Sequence, residues 1–557
     1  MAGDDRRAVI LGLDGATFDT LFPMMERGLL PNLGRIVREG VWGRLRSTIP
    51  PYTAQAWVSM VTGNYQGKHG IVDFWKNPAD RSRGGIADST LIRSEALWGM
   101  LGRHGRKMGV VNVPVTYPPA KVDGYMVSGL MTPPGRLDYT YPAELRDQIL
   151  EAVGEYNPDP YDPMAPTRAL LVQCLYWLRK HEEASEFLLR EHPWDLFMNV
   201  VQELDQVQHF FWSCLDDSHP RHSPERAAEY MPLIEECYRH VDSIVGQRLS
   251  LVDERTSLFV ASDHGFGPAH TWFQVDKFLI GLGLLVLQPK GRSPLQRAAT
   301  SIGLTPRRIK DTLLRIDALG LSQRLGRWAR IAWGRRLEAA LSGQVDWSAT
   351  KAFAGSPTIE GIYINVKGRD EYGIVDSGDE YAELRELIMA RLAELKDPAT
   401  GATVVEAVYR KEEIYEGEYV SLLPDVVFSM NPGYLPRDDM TASGILEPIP
   451  SLGYVEGRHR PDGIFMAIGP DIGQGEVSGA RIVDVAPTVL YAMGLPVPSN
   501  LDGEVCLEAF TRPYRDAHEI EYEELGEGLE ASESDTAYSA EEMEEIQRKL
   551  SGLGYLS

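Results

Sequence analysis

The feature that most constrains the fold is a series of short, almost wholly apolar runs, each closed by acidic or turn-forming residues. Arg7 to Leu13 (RAVILGL) is the first, and it stops at Asp14-Gly15. Lys107 to Val113, Trp194 to Val201, Ser257 to Ser262, Pro424 to Met430 and Gly463 to Ile468 follow the same plan. Such runs are too short for ordinary helices, and their lack of polar alternation means that both faces are covered, as in a parallel sheet. Helical patterns lie between them. Ala16 to Met25 is one, Pro31 to Arg38 carries Pro in its first turn, and Pro224 to Leu249 follows Ser223 as N-cap. Strands alternating with helices predict an α/β fold, a mainly parallel central sheet with helices on both faces. Ligands of such sheets bind beyond the carboxyl ends of the strands.

One stretch outside these strands organises the rest. In Pro50 to Gly63 (PPYTAQAWVSMVTG), two prolines force an extended entry, because Pro51 biases Pro50 away from the helical region. Ala54, Trp57, Val58 and Val61 then recur at helical spacing, and Gly63 stands where a left-handed cap would fall. Thr53 therefore opens a short helix. Taken alone it reads as an N-cap; taken with the acidic and histidine motifs below, it sits where unpaired N–H groups and the helix dipole attract an anion.

A length of 557 residues allows several average domains or one large core with insertions. The formal net charge of −24 excludes general nucleic-acid binding as a first reading. About half of that excess lies in the tail, where Asp516 to Glu545 holds 13 acidic residues. Cys174, Cys214, Cys237 and Cys506 form no CxxC pair, so neither a disulfide frame nor a thiolate zinc site is expected. The first apolar run is too short for a signal peptide, and Phe278 to Leu287 is too short to span a bilayer. A cytoplasmic location is the expectation.

The domain plan divides into residues 1–290 and 346–511 as a core, interrupted by a basic insert over 291–345 and followed by an acidic tail over 512–557. The insert combines an excess of Arg with apolar residues at helical spacing, among them Leu313, Leu314, Leu321, Leu325 and Trp328. It reads as a helical cap or lid with solvated or paired charges; contact with a membrane surface is the lesser alternative. Lys351 to Val366 and Val404 to Val408 read as strands of a smaller subregion, with Tyr381 to Leu395 helical. The tail beyond Arg512 reads as a flexible linker ending in a helix, Ala540 to Leu550, able to dock on a protein partner or on the body.

The chemistry-bearing residues are scattered but ordered. Asp14, Asp205 and Asp263 fall immediately after predicted strands. Asp205 and His209 stand four apart, on one face if a helix begins after the Trp194 to Val201 strand. Asp263 and His264 can meet one metal only if their strand ends there, which Gly265 permits. His459, in GRHRPDG, precedes the last predicted strand.

The ordered set Asp14, Thr53, Asp205/His209, Asp263/His264 and His459 resembles the two-metal site of the alkaline phosphatase superfamily, and within it the type I phosphodiesterase/nucleotide pyrophosphatase branch. Val61-Thr62-Gly63, His69-Gly70-Ile71, Asp484-Val485-Ala486-Pro487-Thr488, Leu495-Pro496 and Asp502-Gly503 carry the same resemblance. It covers roughly residues 7 to 290 and 345 to 510, and leaves the insert and tail unexplained.

The resemblance implies a three-layer alkaline phosphatase-like fold. It assigns one divalent ion to Asp14, Thr53, Asp263 and His264, and another to Asp205, His209 and His459. Nitrogen and oxygen donors without thiolate suit zinc, with manganese as the alternative. The implied reaction is hydrolysis of a phosphoric diester or pyrophosphate, with a small phosphoester of nucleotide type as substrate. Thr53 would attack phosphorus, and an activated water would hydrolyse the phospho-threonine. Asn112 resembles a phosphoryl-binding position through its place after the second strand. Thr53, where a sulfatase would carry a modified Cys, argues against that class. A phosphomonoesterase, a phosphomutase or a phospho-headgroup transferase of the same superfamily remains open, as does a metal-bound scaffold that recruits a partner through its tail. His69 is expected to fix its loop, and His270 is even between a role behind the ligands and none. His104, His181, His192, His219, His222, His240 and His518 are expected to be surface or structural.

Overall fold

Alternate residues of the first strand face opposite cores. Ala8 and Ile10 join one buried cluster, while Val9, Leu11 and Leu13 join another. Each fully buried aliphatic side chain of this kind contributes about 1.5–3 kcal/mol, so a strand buried on both faces anchors the molecule. The computed structural model of the chain describes residues 5–77, 79, 85–160, 167–288, 345–440, 442–450, 455–524 and 537–552.

Numbered along the chain, the strands begin with β1 (Arg7–Leu13), β2 (Val41–Arg46), β3 (Met108–Val113), β4 (Gly124–Ser128), β5 (Thr140–Tyr141), β6 (Leu196–Val201) and β7 (Thr256–Ala261). After β8 (Gly265–Gln274) come β9 (Ala352–Ala354), β10 (Gly361–Ile364), β11 (Val405–Arg410) and β12 (Val426–Met430). The chain then forms β13 (Gly433–Arg437), β14 (Leu446–Pro448), β15 (Gly457–Arg460), β16 (Asp462–Ile468), β17 (Gly475–Glu476), β18 (Val497–Pro498) and β19 (Tyr522–Glu523).

Nine strands make the central sheet in the order β17-β2-β16-β7-β1-β6-β3-β4-β5. β7, β1, β6, β3 and β4 are parallel neighbours, whereas β16 and β5 run the other way. Helices Phe18–Glu26, Pro31–Glu39, Arg168–Glu191 and Pro224–Leu249 cover one face; Leu97–Arg103 and Val485–Ala492 cover the other. This is the expected α/β/α arrangement. Two consequences place the site. β7, β1 and β6 are adjacent, so their carboxyl ends share one rim. β16 is antiparallel to β7, so the segment entering it arrives at that same rim.

The smaller subregion has its own antiparallel sheet, β11-β12-β10-β9, packed on the helix Asp379–Ala393 and around its own apolar cluster. Two expectations need correction here. Pro424 to Met430 was expected beside the other apolar runs, but its strand, β12, belongs to this second sheet; a fully buried strand reads alike in either. Lys351 to Val366 is not one strand but two, β9 and β10, folded back on each other around Pro357–Ile359.

The tail also differs from a plain linker. It opens with the helix Arg512–Ala517 and with β19, which pairs with β18. Its terminal helix, Ala540–Gly552, docks on the body: Ile546 and Leu550 are buried, and Lys549 Nζ donates to the Asp159 carbonyl at 2.6 Å. The basic insert expected over 291–345 lies outside the described residues except for Val345. Among the described residues no helix is long and apolar enough to cross a membrane.

Candidate metal centre and nucleophile

Thr53 occupies the first turn of the helix Thr53–Thr62, which ends at Gly63 in the left-handed conformation with φ 66°. The N-cap is Tyr52, which makes no side-chain capping bond. A purely capping Thr53 is therefore excluded: its hydroxyl instead lies 3.2 Å from His264 Nε2. Thr53 is fully buried. Its helix is placed by β2, which leads into the cis-proline-bearing segment at Pro50, and by Trp57. The indole of Trp57 lies over Gly12, where any Cβ would fall 2.4 Å from it, and its N–H donates to Asp14 Oδ2 at 3.1 Å. Glycine at position 12 is thus what lets the Thr53 helix approach β1.

Around Thr53 the strand ends deliver two clusters of donors. Asp14 follows β1; Asp263 and His264 follow β7. Their donor atoms lie within 4.8 Å of one another. His264 Nε2 is 3.2 Å from Asp263 Oδ2 and 3.5 Å from Asp14 Oδ1, and these two carboxylate oxygens are buried without a hydrogen-bond partner. Two buried carboxyl oxygens left in this way lack the partner that buried polar atoms normally find, and a cation would supply it. Burial pushes both carboxyls well above the usual carboxylate range, and their mutual repulsion and that of Asp205 push Asp14 further. Burial also pushes His264 well below the usual imidazole range, so its ring is neutral, the form in which imidazole binds a metal.

The second cluster joins Asp205, His209 and His459, again within 4.8 Å. Asp205 is not directly at the end of β6, as expected, but in the first turn of the helix Glu203–Leu215; the four-residue spacing to His209 does put both on one face, 3.4 Å apart. His459 comes from β15, which pairs with β8 opposite Phe266. His209 Nδ1 donates to the Gly457 carbonyl at 3.2 Å, and His459 Nδ1 donates to the Pro51 carbonyl at 3.1 Å. A carbonyl only accepts, so both Nδ1 atoms carry protons, and the two Nε2 atoms face each other at 3.0 Å. Asp205 Oδ1 lies 3.1 Å from His459 Nε2. The Asp205 carboxylate and the two Nε2 atoms thus converge on one point, where a positive charge would be held. Burial lowers His209 to about 4, so at neutral pH its own proton does not fill that role. Both clusters thus fit divalent ions by their donor chemistry, the first also by its unpaired carboxyl oxygens and the second by backbone bonds that orient its rings.

The clusters touch. The His264 and His459 rings stack with centroids 3.5 Å apart, and Thr53 lies against the first. The structure therefore gathers all seven sequence-selected residues into one buried centre. Asn112 does not follow its strand as expected but lies within β3, one residue before its end and next to β6 in the sheet, in the left-handed region at φ 59°, and its Oδ1 accepts from the Tyr156 hydroxyl. His69 holds its loop as expected, accepting from Ile71 N–H through Nδ1 and donating to Ser59 Oγ at 2.9 Å. His270 contacts Thr271, His219 and Tyr434 rather than the ligand-type residues. His181 is structural, bound to buried Glu203 at 3.0 Å.

This is the geometry of a known family. A family model for type I phosphodiesterase / nucleotide pyrophosphatase matches residues 8–461. The chain belongs to that family. It is accordingly a hydrolytic enzyme of the phosphodiesterase and nucleotide pyrophosphatase type, in a family that depends on metal ions. Among solved structures, phosphonoacetate hydrolase from Sinorhizobium meliloti 1021, in complex with phosphonoformate, is similar with a TM-score of 0.52 and 16% identity, over 88% of this chain and 96% of that one. Murine ectonucleotide pyrophosphatase/phosphodiesterase 5, an inactive variant in complex with AMP, has 14% identity and a TM-score of 0.46 over 91% of this chain and 100% of that one. At such identity the first of these speaks for the fold alone, which is alkaline phosphatase-like. No curated protein matches the sequence.

Sequence reasoning missed the residues that hold the centre in place. Ser47 Oγ donates to the Asp263 carbonyl at 2.5 Å, and Gln208 Nε2 to the Gly15 carbonyl at 2.8 Å. Glu360 and Arg458 form a buried ion pair beside Tyr52. Only Arg458 carried a signal, its place next to His459; the others are polar residues with no spacing to mark them.

Proposed function

We propose that the chain hydrolyses a small phosphoric diester or pyrophosphate through in-line attack of Thr53 on phosphorus. The observation that carries this reading is the position of Thr53 Oγ1. It is a buried hydroxyl in contact with His264, at the start of a helix and beside two sets of cation-seeking donors. Asp14, Asp263 and His264 would hold one divalent ion and Asp205, His209 and His459 the other, zinc being the better fit and manganese the alternative. Such ions supply Lewis acidity, lowering the pKa of a hydroxyl and neutralising charge on the attacking and leaving oxygens. The chain's own part is separate. The Thr53 helix offers first-turn N–H groups to the phosphoryl oxygens. Thr53 Oγ1 forms the new P–O bond as the ester or anhydride oxygen leaves with its electron pair. The resulting phosphoester on Thr53, which keeps the substrate's remaining substituent, would then be cleaved at phosphorus by water, releasing a phosphate monoester and regenerating the hydroxyl. Burial of all seven residues keeps bulk water out, which strengthens each of these electrostatic contacts.

Phosphonoformate, held in the phosphonoacetate hydrolase complex, is likewise a small phosphorus oxyanion. Asn112 is proposed only as a more distant contact to the substrate. The reading is tested with bis-p-nitrophenyl phosphate, thymidine 5′-p-nitrophenyl phosphate and p-nitrophenyl phosphate, with zinc or manganese added, followed by acid quench and mass spectrometry of the peptide that contains Thr53. Faster diester cleavage is expected, with an adduct on Thr53 that keeps the substrate's second ester group (p-nitrophenyl phosphate or thymidine 5′-phosphate). A preference for the monoester overturns the diesterase reading, and an adduct on another residue overturns the nucleophile.

A further inference from the structure

Glu360 is an anomaly in an otherwise ordinary turn. It is buried, it is not glycine, and it has φ 43° and ψ 53°, in the left-handed region where a side chain strains the backbone. Such strain persists only where surrounding structure over-determines it, and it concentrates near functional sites. Here the Phe428 N–H, donating to the Glu360 carbonyl at 2.9 Å, locks the turn in place. The side chain leaves the smaller subregion and reaches the centre. Its Oε1 accepts from Arg458 Nη2 and from the Tyr52 hydroxyl at 3.4 Å.

Both partners adjoin the reactive groups. Arg458 lies between Gly457, whose carbonyl fixes the His209 tautomer, and His459 itself. Arg458 Nη1 also donates to the Tyr434 carbonyl at 2.6 Å, so its guanidinium is tied on two sides. Tyr52 precedes Thr53, and its ring lies 5.1 Å from that of His459. One carboxylate from 98 residues away thus holds the strand that presents one cluster and the residue that leads into the nucleophile.

A stabilising ion pair is the competing explanation, and the geometry weighs against it. Glu360 Oε2 and Arg458 Nε are both buried without a hydrogen-bond partner. A half-satisfied buried pair is a poor source of stability compared with apolar residues of the same size. Nor does Glu360 line an open substrate site: the cavity beside it, with Ser356 and Arg437 in its wall, holds about 10 Å³, room for one water at most.

We propose that Glu360 is a positioning residue for the Asp205, His209 and His459 cluster, acting through Arg458 and Tyr52 to hold that cluster in register with Thr53. This rests on the metal-dependent reading above and adds to it a role for the smaller subregion, which carries none of the seven site residues.

The test is ion binding by the full chain. Zinc and manganese stoichiometry and dissociation constants are measured for the native protein, E360Q, and the apolar double variant E360M/R458M, beside kcat and KM on bis-p-nitrophenyl phosphate. E360Q is expected to weaken one of two ions by about 10- to 100-fold, the usual effect of losing a partner behind a ligand, and to lower kcat with KM little changed. The double variant is expected to recover thermal stability but neither the weakened ion nor kcat. Native ion affinity and kcat in E360Q overturn the positioning role while leaving the hydrolase reading intact. Recovery of both by the double variant overturns it too, since the pair would then serve stability alone. A native protein that binds no ions overturns both readings together.

Discussion

The two donor clusters touch, yet they are built differently. The first takes Asp14, Asp263 and His264 from the ends of adjacent parallel strands, so the hydrogen-bond register of β1 and β7 sets its geometry. The second takes Asp205 and His209 from a helix and His459 from β15, outside the central sheet, and carbonyls of Gly457 and Pro51 hold its rings. Charge divides them as well. Two buried carboxyls in the first repel each other, while the single carboxyl of the second lies between two imidazoles, which hold Asp205 below the usual carboxylate range against the opposing effect of burial. The first cluster therefore needs a cation for electrostatic relief. The second brings one carboxylate and two imidazoles to a single point, and it depends on the surrounding chain to keep its shape.

The largest effect should come from the residue between them. Thr53→Ala is expected to lower kcat by about 10³-fold or more, the scale of losing a nucleophile, while both ions stay bound, because each cluster keeps three donors. Metal analysis beside turnover checks this. Turnover within tenfold of native would move the nucleophile elsewhere.

A smaller effect separates the clusters. Asp263→Asn should release the first ion and His459→Ala the second, each leaving one ion per chain, with kcat down by roughly 10²-fold. Loss of both ions from either variant would show that the halves form one cooperative site, and the contrast drawn above would fail.

That contrast was only half visible beforehand. Asp14 and Asp263 could be placed because a buried strand betrays itself by its apolar run, and whatever ends it must lie at the sheet's rim. The spacing of Asp205 and His209 was legible for a similar reason, since helix geometry is local. His459 came from its motif rather than from any periodicity. What could not be read were contacts whose partners lie far apart in sequence. Glu360 and Arg458 are separated by 98 residues and follow no period. Trp57 over Gly12 looks like an ordinary core pair until the indole N–H is seen on Asp14. The run at Pro424 reads as a strand but joins the second sheet, because burial leaves no mark of which sheet a strand joins.

The smallest effect is one of slope, and it tests the electrostatic half of the comparison in metal-free protein. Asp14 and Asp263 are raised by burial, so the folded chain binds their protons more tightly than the unfolded chain does. Stability from this source is full below the unfolded value of 3.8 and is lost as pH rises through the raised folded values. His209 runs oppositely. Lowered by burial to about 4 from 6.5, it supports stability above 6.5 that is lost as pH falls towards 4, and His264 follows it in direction. After exhaustive chelation, the melting temperature of Asp14→Asn relative to native should therefore climb as pH goes from 4 to 8, because the variant removes a buried charge that native protein must carry. The same difference for His209→Asn should climb as pH falls from 8 to 5. Addition of zinc should reverse the first advantage, since only native protein then gains binding energy at its complete donor set. Difference curves of the same sign for the two variants would mean that the carboxyl pair is relieved by something other than a cation, and the first cluster would lose its reason for needing one.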